Sequence, residues 1–223
     1  FVSGVTEPNS RYFSRLHLVA TRPARTLTSH VTESFFNKGL TIRTAGGVII
    51  EQSVTTKEME LRIEAGTGTL TVKSSKVLSS YAQPVLITVD DVDLHSAGKV
   101  SAGISLMEIK TTTVDTNIGL GANPRDFHMT DAEIGGLFSS AGLTIGDSRS
   151  GNIYVDGVSD YNTGFFGVVK LNAYKPTKVV TFERNPSSFN KGIVVQAVGG
   201  VNFSESVTTR ASVTNIRPYT STI

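Results

Sequence analysis

The chain has 223 residues, of which 39% are hydrophobic and 18% charged, and its formal net charge is +2. These values indicate one folded domain, because disordered chains carry more charge and fewer Val, Ile and Leu. The chain has no cysteine, which excludes disulfides, thiolate metal sites and cysteine nucleophiles.

Charge is distributed unevenly along the chain. Residues 1–43 carry a net charge of +4, residues 44–169 of −7 and residues 170–223 of +5. The basic ends predict that the chain docks onto acidic glycans or acidic neighbours. Basic surface residues are, however, more often simply solvated. They lack a clustered Arg/Lys and aromatic module, so we expect no nucleic-acid partner.

The sequence also bears on targeting. No window approaches the roughly 20 apolar residues that span a bilayer, so no membrane-spanning segment is expected. The chain begins at Phe1 without the apolar core of a signal peptide, and we expect it to be a processed form or a piece of something longer.

The chain divides into three predicted segments. Residues 1–38 mix Arg with Phe and Leu without a regular period, which indicates an N-terminal cap or docking segment. Residues 39–215 alternate short apolar strands with turns of Gly, Asp, Ser and Asn, as in a β-solenoid. Residues 216–223 are predicted to be a C-terminal tail or capping strand. The strongest predicted strands are Leu40–Ile42, Val48–Ile50, Met59–Ile63, Leu70–Val72, Val85–Val89, Val92–Leu94, Ile104–Leu106, Leu143–Ile145 and Ile153–Val155.

The predicted number of residues per coil comes from the spacing of corners that contain small residues. Ala45-Gly46 and Ala65-Gly66 lie twenty residues apart, and Ala102-Gly103 follows thirty-seven residues later, close to two further periods. About ten coils at the ~4.8 Å strand spacing would give a body roughly 50 Å long. Asp131–Ile134 is predicted to form one short helical turn, with Asp131 at its N-terminal end. The predicted fold is all-β: a single-stranded, right-handed parallel β-helix of about ten coils with irregular capping ends.

The segment from about Ile87 to Val158 resembles the repeat region of filamentous-haemagglutinin-type exoproteins, the large secreted adhesins of two-partner systems. This resemblance implies a structural or adhesive right-handed β-helix with no catalytic residues. An Asn-Pro-Asn-Gly-Ile secretion signature is not found in the N-terminal region. The residues that carry the resemblance are, in chain order, Asp90-Asp91-Val92-Asp93-Leu94, Ser101-Ala102-Gly103, Ile118-Gly119-Leu120-Gly121, Met129 to Ile134, Leu143-Thr144-Ile145-Gly146 and Ser150 to Val155.

Asp90, Asp91 and Asp93 form the densest carboxylate group. They suit a calcium site, or the acid/base pair of a polysaccharide lyase or hydrolase working with Lys110 or Arg125. The simpler interpretation is that Asp90 and Asp91 form a turn, Val92 and Leu94 face inward and Asp93 faces outward. We favour the simpler interpretation.

Other candidate residues give weaker signals. The four histidines, His17, His30, His95 and His128, have no metal-ligand spacing and no Ser/Asp partners. Gly119-Leu120-Gly121 and Gly164 suggest nucleotide loops only superficially, because no helix follows them. A single glycosylation sequon starts at Asn202. A sugar-stacking surface could be formed by aromatic side chains, although such rings more often fill the core; the candidates are Tyr81, Tyr154, Tyr161, Phe165, Phe166 and Tyr174. An ice-binding ladder of threonines would require regular spacing, which is not found among Thr67, Thr69, Thr71, Thr111, Thr112 and Thr113.

The predicted function is a non-enzymatic structural or adhesive β-solenoid at an extracellular or cell surface. It would be a subunit or fragment of a larger filament or matrix, and a homo-oligomer joined through its terminal segments. No catalytic, cofactor-binding or metal-ligating residues are assigned, and no cofactor is expected. The alternatives are a polysaccharide-acting β-helix enzyme and a surface-binding or ice-binding protein.

Overall fold

A computed structural model describes residues 1–218, which form a parallel β-solenoid of about nine turns. The result confirms the predicted all-β solenoid and is close to the predicted ten coils. Each coil crosses three faces in turn, and parallel pairing with the next coil builds each face into a sheet. The C-terminal part of the predicted tail, residues 219–223, lies outside the described residues.

The first four coils place one strand on each face after a short helix, α1 (Glu7–Ser10). Their strands are β1 (Leu16–Ala20), β2 (Leu27–Ser29) and β3 (Ser34–Phe36); β4 (Leu40–Thr44), β5 (Val48–Ile50) and β6 (Val54–Thr56); β7 (Leu61–Glu64), β8 (Thr69–Val72) and β9 (Val77–Ser80); and β10 (Val85–Val89), β11 (Asp91–Leu94) and β12 (Lys99–Gly103).

The later coils are less regular. The fifth contains β13 (Met107–Thr111), β14 (Ile118–Gly121), β15 (Phe127–Met129), α2 (Asp131–Ile134) and β16 (Leu137–Ser139), and the sixth contains β17 (Leu143–Ile145), β18 (Ile153–Asp156) and a 3₁₀ helix (Asn162–Phe165). The end of the solenoid contains β19 (Val169–Ala173), β20 (Val180–Phe182), β21 (Ser187–Phe189), β22 (Ile193–Ala197), β23 (Val201–Phe203), β24 (Val207–Thr209) and β25 (Thr214–Pro218).

The first face is one continuous nine-stranded sheet in the order β1-β4-β7-β10-β13-β17-β19-β22-β25. The second face is split into β2-β5-β8-β11 and β15-β14-β18-β20-β23. The third face contains β3-β6-β9-β12-β16 and, further along, β21-β24. The first face is therefore the unbroken spine of the solenoid.

Alternation along each strand builds the core. Leu40, Leu61, Val85 and Met107 occupy equivalent positions on consecutive coils, and all four are buried. Residues between them face outward, as the two-residue period of a strand requires. Such inward ladders continue on all three faces and form a single hydrophobic cluster. Burying each of these side chains contributes about 1.5–3 kcal/mol.

The coil length varies more than the predicted period of twenty. Leu40 pairs with Leu61, twenty-one residues on, whereas Met107 pairs with Leu143, thirty-six residues on. Gly46 and Gly66 do meet at one corner through a bridge on neighbouring coils. The assignment of Ala102-Gly103 to the same series was wrong, because these residues end β12 on the third face.

Ile104–Leu106 was also wrongly predicted as a strand. These residues form the turn between β12 and β13, and the Ile104 side chain is 75% exposed. The predicted helical turn at Asp131–Ile134 is confirmed as α2. Thr130 and Glu133 form a capping box at its N-terminus.

Residues 1–10 lie across the N-terminal end of the second and third faces. Val2 pairs with Ser29, and Phe35 N–H donates to Val5 O (2.7 Å). Ser10 lies on α1 and accepts a hydrogen bond from Asn37 N–H (2.9 Å). The division into a cap at 1–38, a solenoid at 39–215 and a tail at 216–223 stays a prediction, although β1 to β3 already belong to the sheets.

Candidate functional surfaces

The predicted carboxylate group lies at the corner where the chain passes from β10 to β11. Asp90 occupies the bend and accepts hydrogen bonds from Thr113 N–H (2.7 Å) and from the Thr113 hydroxyl. Asp91 and Asp93 both face outward from β11, while Val92 and Leu94 are buried. Asp91 is therefore the first residue of a strand rather than the second residue of a turn.

Lys110 and Arg125, the basic partners suggested for these carboxylates, are engaged elsewhere. Lys110 pairs with Glu108 (2.8 Å) on the first face. Arg125 pairs with Glu183 (2.7 Å). Asp93 instead contacts His95 Nε2 (3.0 Å). Neither suggested cation therefore pairs with an aspartate of the proposed acid/base group.

Asp91 and Glu133 support the point at which the second face is interrupted. β11 is the last strand of its sheet, and β15 lies beside it without a paired ladder. Asp91 Oδ1 accepts from His128 N–H (3.1 Å), and Glu133 Oε1 accepts from Leu94 N–H (3.1 Å). Two carboxylates thus satisfy backbone donors that a continuous sheet would have paired. Burial raises the pKa of Asp91, and Glu133 raises it further.

The interruption arises because the fifth coil crosses the second face twice. β14 pairs with β18 of the next coil, and the chain then returns through residues 122–126 to form β15 on the other side of β14. A Cβ on Gly119 would lie 2.7 Å from Asn123 O, so only glycine lets the return loop cross the outside of β14. The motif Gly119-Leu120-Gly121, which superficially suggested a nucleotide loop, therefore belongs to strand β14.

The return loop is fixed by one carboxylate. Glu183 Oε1 accepts from Asn123 Nδ2 (2.6 Å) and Arg125 Nη2 (2.7 Å). The Arg125 guanidinium carbon lies 4.0 Å from the centre of the Tyr154 ring, a cation–π contact. Gly164, the other suggested nucleotide-loop residue, lies in the 3₁₀ helix.

The histidines have different contacts in the fold. His30 Nδ1 contacts Glu51 (2.6 Å), His128 Nε2 contacts Gly121 O (2.9 Å), and His17 is exposed on β1. Among residues 1–218, no group of three or more His, Cys, Asp or Glu side chains is arranged to hold a metal ion. No helix in the same range is long and apolar enough to cross a bilayer.

The suggested aromatic surface does not form one platform. Tyr81 and Tyr161 are exposed at different places, and Tyr174 donates to Gln196 Oε1 (2.6 Å). Phe166 is buried whereas Phe165 is 43% exposed, so one ring of that pair faces inward. Asn202, the predicted sequon residue, is exposed on β23.

The suggested threonine ladder is not continuous either. Thr71 on β8 lies between Ile49 and Asp93 of the neighbouring coils, and Thr111 is buried. An outward row that the sequence analysis missed lies on the third face instead. It consists of Phe35, Thr55, Ser79, Ser101 and Phe138 on consecutive coils.

Comparison with family models, curated proteins and solved structures finds no match to this chain. The resemblance to filamentous-haemagglutinin-type repeats is supported only as far as a parallel β-solenoid, which the fold shows. No residue role is therefore transferred from another protein.

Proposed function

We propose that this chain is a non-enzymatic structural or adhesive β-solenoid of an extracellular surface. In this proposal the chain is a unit of a larger filament or matrix of the filamentous-haemagglutinin type. Copies are joined end to end through their terminal coils.

The main support for this proposal is that the first face has an open strand edge at each end. β1 is the first strand of that sheet and β25 the last, and within residues 1–218 no further strand pairs with either on its outer side. Open edges present unpaired backbone N–H and C=O groups, which favour the addition of a strand from another copy.

The geometry of the two edges allows a head-to-tail joint. All strands of the first face are parallel, so β25 of one copy can pair with β1 of the next without reversal. Inward-facing residues of this sheet donate to the following coil, as Val169 N–H does to Gly192 O (3.1 Å). Ile216 belongs to the same inward-facing set by register, so its N–H points away from β22 and towards an added strand.

Apolar surface at both ends supports the same joint. Val213 and Ile216 are exposed at the C-terminal end, by 73% and 38%. At the N-terminal end, Phe13 and Leu16 line an apolar cavity of about 140 Å³. This volume is large enough for an apolar side chain from the next copy.

Charge opposes the joint at low ionic strength. Both terminal segments are basic, with net charges of +4 and +5, so two ends that approach each other repel. Salt screens such repulsion over about 10 Å at 0.1 M. An acidic glycan bound alongside the joint would have the same effect, which makes acidic glycans the proposed partners of the assembled form.

Sedimentation velocity at increasing salt, followed by electron microscopy, tests this function. We expect linear assemblies that lengthen with salt and have an axial repeat of roughly 43 Å, nine strand spacings of ~4.8 Å. Ile216→Pro removes the donor at the open edge and should shorten them. Ile104→Ser, which removes a more exposed apolar side chain from the middle of the solenoid, should not. A wild-type protein that stays monomeric at every salt concentration would refute the joint.

A further inference from the structure

A groove of about 780 Å³ runs along the corner between the first and second faces. One wall is the outer edge of the first face, and the other is formed by the corner turns of successive coils. It reaches from the turn before β2, in the first coil, to the loop after β17, in the sixth coil, which is about five strand spacings or roughly 24 Å. Its lining residues are Thr21, Pro23, Ala24, Arg43, Thr44, Ala45, Glu64, Gly66, Thr67, Thr88, Thr112 and Arg149.

Guanidinium groups lie at both ends of this groove. Arg43, on the second coil, pairs with Glu64 through Nε (2.6 Å), which leaves its terminal nitrogens available within the described part of the chain. Arg149, on the sixth coil, donates from Nη2 to Thr112 O (2.8 Å), and this bond fixes the direction of its side chain. The turn at the N-terminal end adds two exposed cations, Arg22 and Arg25. Glu64 is the single carboxylate among the lining residues.

Neutral hydroxyl groups lie between the two arginines. Thr67, Thr88 and Thr112 line the middle of the groove. The Thr112 hydroxyl oxygen is buried and has no hydrogen-bond partner among residues 1–218. A buried polar atom of this kind is normally satisfied by a partner. The groove therefore offers separated cations, a single carboxylate acceptor and threonine hydroxyls, of which that of Thr112 has no partner among residues 1–218.

We propose that this groove binds a linear acidic polysaccharide whose sugars carry carboxylates. Guanidinium groups bind carboxylates with two parallel hydrogen bonds, which suits Arg43 and Arg149 at the ends of a short oligosaccharide. Sugar hydroxyls between the carboxylates can donate to Glu64 and exchange hydrogen bonds with the threonines. The groove lies on the side wall of the solenoid, so this binding does not depend on the end-to-end joint.

A nucleic acid fits the same groove poorly. Single-stranded nucleic acids are bound by aromatic side chains that stack on their bases, and none of the described lining residues is aromatic. A polymer that alternates carboxylates with neutral hydroxyls places each group opposite a suitable partner.

Calorimetric titration with a short alginate oligomer, a polyuronate, tests the site. We expect binding that weakens about tenfold in Arg43→Gln and in Arg149→Gln. Arg149→Lys, which keeps the charge but loses the planar fork, should give an intermediate affinity. Arg210→Gln removes the same charge at the C-terminal end, where Arg210 pairs with Asp160, and should leave the affinity unchanged.

Three results would overturn the proposal. They are no detectable alginate binding by the wild-type protein, equal weakening by Arg210→Gln and Arg149→Gln, and tighter binding of a single-stranded oligonucleotide of equal charge. Repeating the titration with Ile216→Pro separates this proposal from the joint, because that variant should bind alginate as the wild type does.

Discussion

Gly121 on β14 approaches Asp156 on β18 so closely that a Cβ at this position would lie 1.9 Å from the Asp156 carbonyl oxygen. The backbone of Gly121 also has a positive φ of 99°. Close contact and backbone conformation therefore both require glycine where the fifth coil doubles back.

Gly121→Ala should destabilise the protein by roughly 3 kcal/mol or more, because it adds a steric clash to a strained φ. Gly200→Ala is a matched control, since Gly200 has a φ of 103° but a Cβ added there would have no atom within 4 Å. Gly200→Ala should lower the free energy of unfolding by only about 1–2 kcal/mol, the cost of the strained backbone alone. Urea unfolding of both variants measures the difference, and equal losses would show that the close contact is unimportant.

Glu133→Ala should cost about 2–3 kcal/mol of unfolding free energy. It removes the capping box of α2 and leaves the N–H of Leu94 without its acceptor. Glu133→Gln keeps an acceptor oxygen and should lose less. Glu108→Ala, which breaks a half-exposed pair with Lys110, should change the free energy by less than about 0.5 kcal/mol. A Glu133→Ala variant as stable as Glu108→Ala would contradict the bridging role.

Asp91→Asn should raise the unfolding temperature at neutral pH. Burial raises the pKa of Asp91 in the folded protein, so the folded state binds its proton more tightly than the unfolded state does. The charged carboxylate therefore destabilises the fold above the raised pKa, and this penalty disappears as the pH falls through the raised pKa towards the unfolded value. Asparagine keeps the acceptor for His128 N–H without the charge.

Thermal unfolding of the wild type and Asp91→Asn across the acidic and neutral range gives this comparison. The advantage of the variant should shrink as the pH falls. A variant that is less stable than the wild type at neutral pH, by an amount that shrinks as the pH falls, would show that the ionised form is favoured instead.

Glu183→Ala should release the return loop at residues 122–126. The loop loses two hydrogen bonds to a charged acceptor, so local opening should become about tenfold more frequent or greater. Limited trypsin digestion measures this as faster cleavage after Arg125. Cleavage after Arg62, on the first face, should keep its rate, and acceleration at both positions would indicate global destabilisation instead.

Much of the first face was predictable from sequence because its strands alternate regularly. Leu40, Leu61 and Leu143 each begin a strand that alternates apolar and polar residues and stacks on its neighbours in register. Local patterns sufficed there, since every coil repeats the same inward positions. The corner at Ala45-Gly46 and Ala65-Gly66 was found in the same way.

The strand pairing of the second face could not be predicted from local sequence patterns. Ile118–Gly121 and Phe127–Met129 are separated by only five residues, a spacing typical of an antiparallel hairpin, yet they pair in parallel. Likewise Asp91 was recognised as part of a carboxylate cluster, but its partner, His128 N–H, lies thirty-seven residues away. The row from Phe35 to Phe138 is also visible only once the register of five coils is known.

The doubled crossing of the second face has a mechanical consequence. Tension along the axis can be transmitted through the first face by a ladder that is unbroken from β1 to β25, but on the second face the ladder stops between β11 and β15. At that level the load falls on the side-chain links of Asp91 and Glu133. At this level of the solenoid a pulled molecule would thus open first on the second face, because the ladders of the first and third faces continue through it.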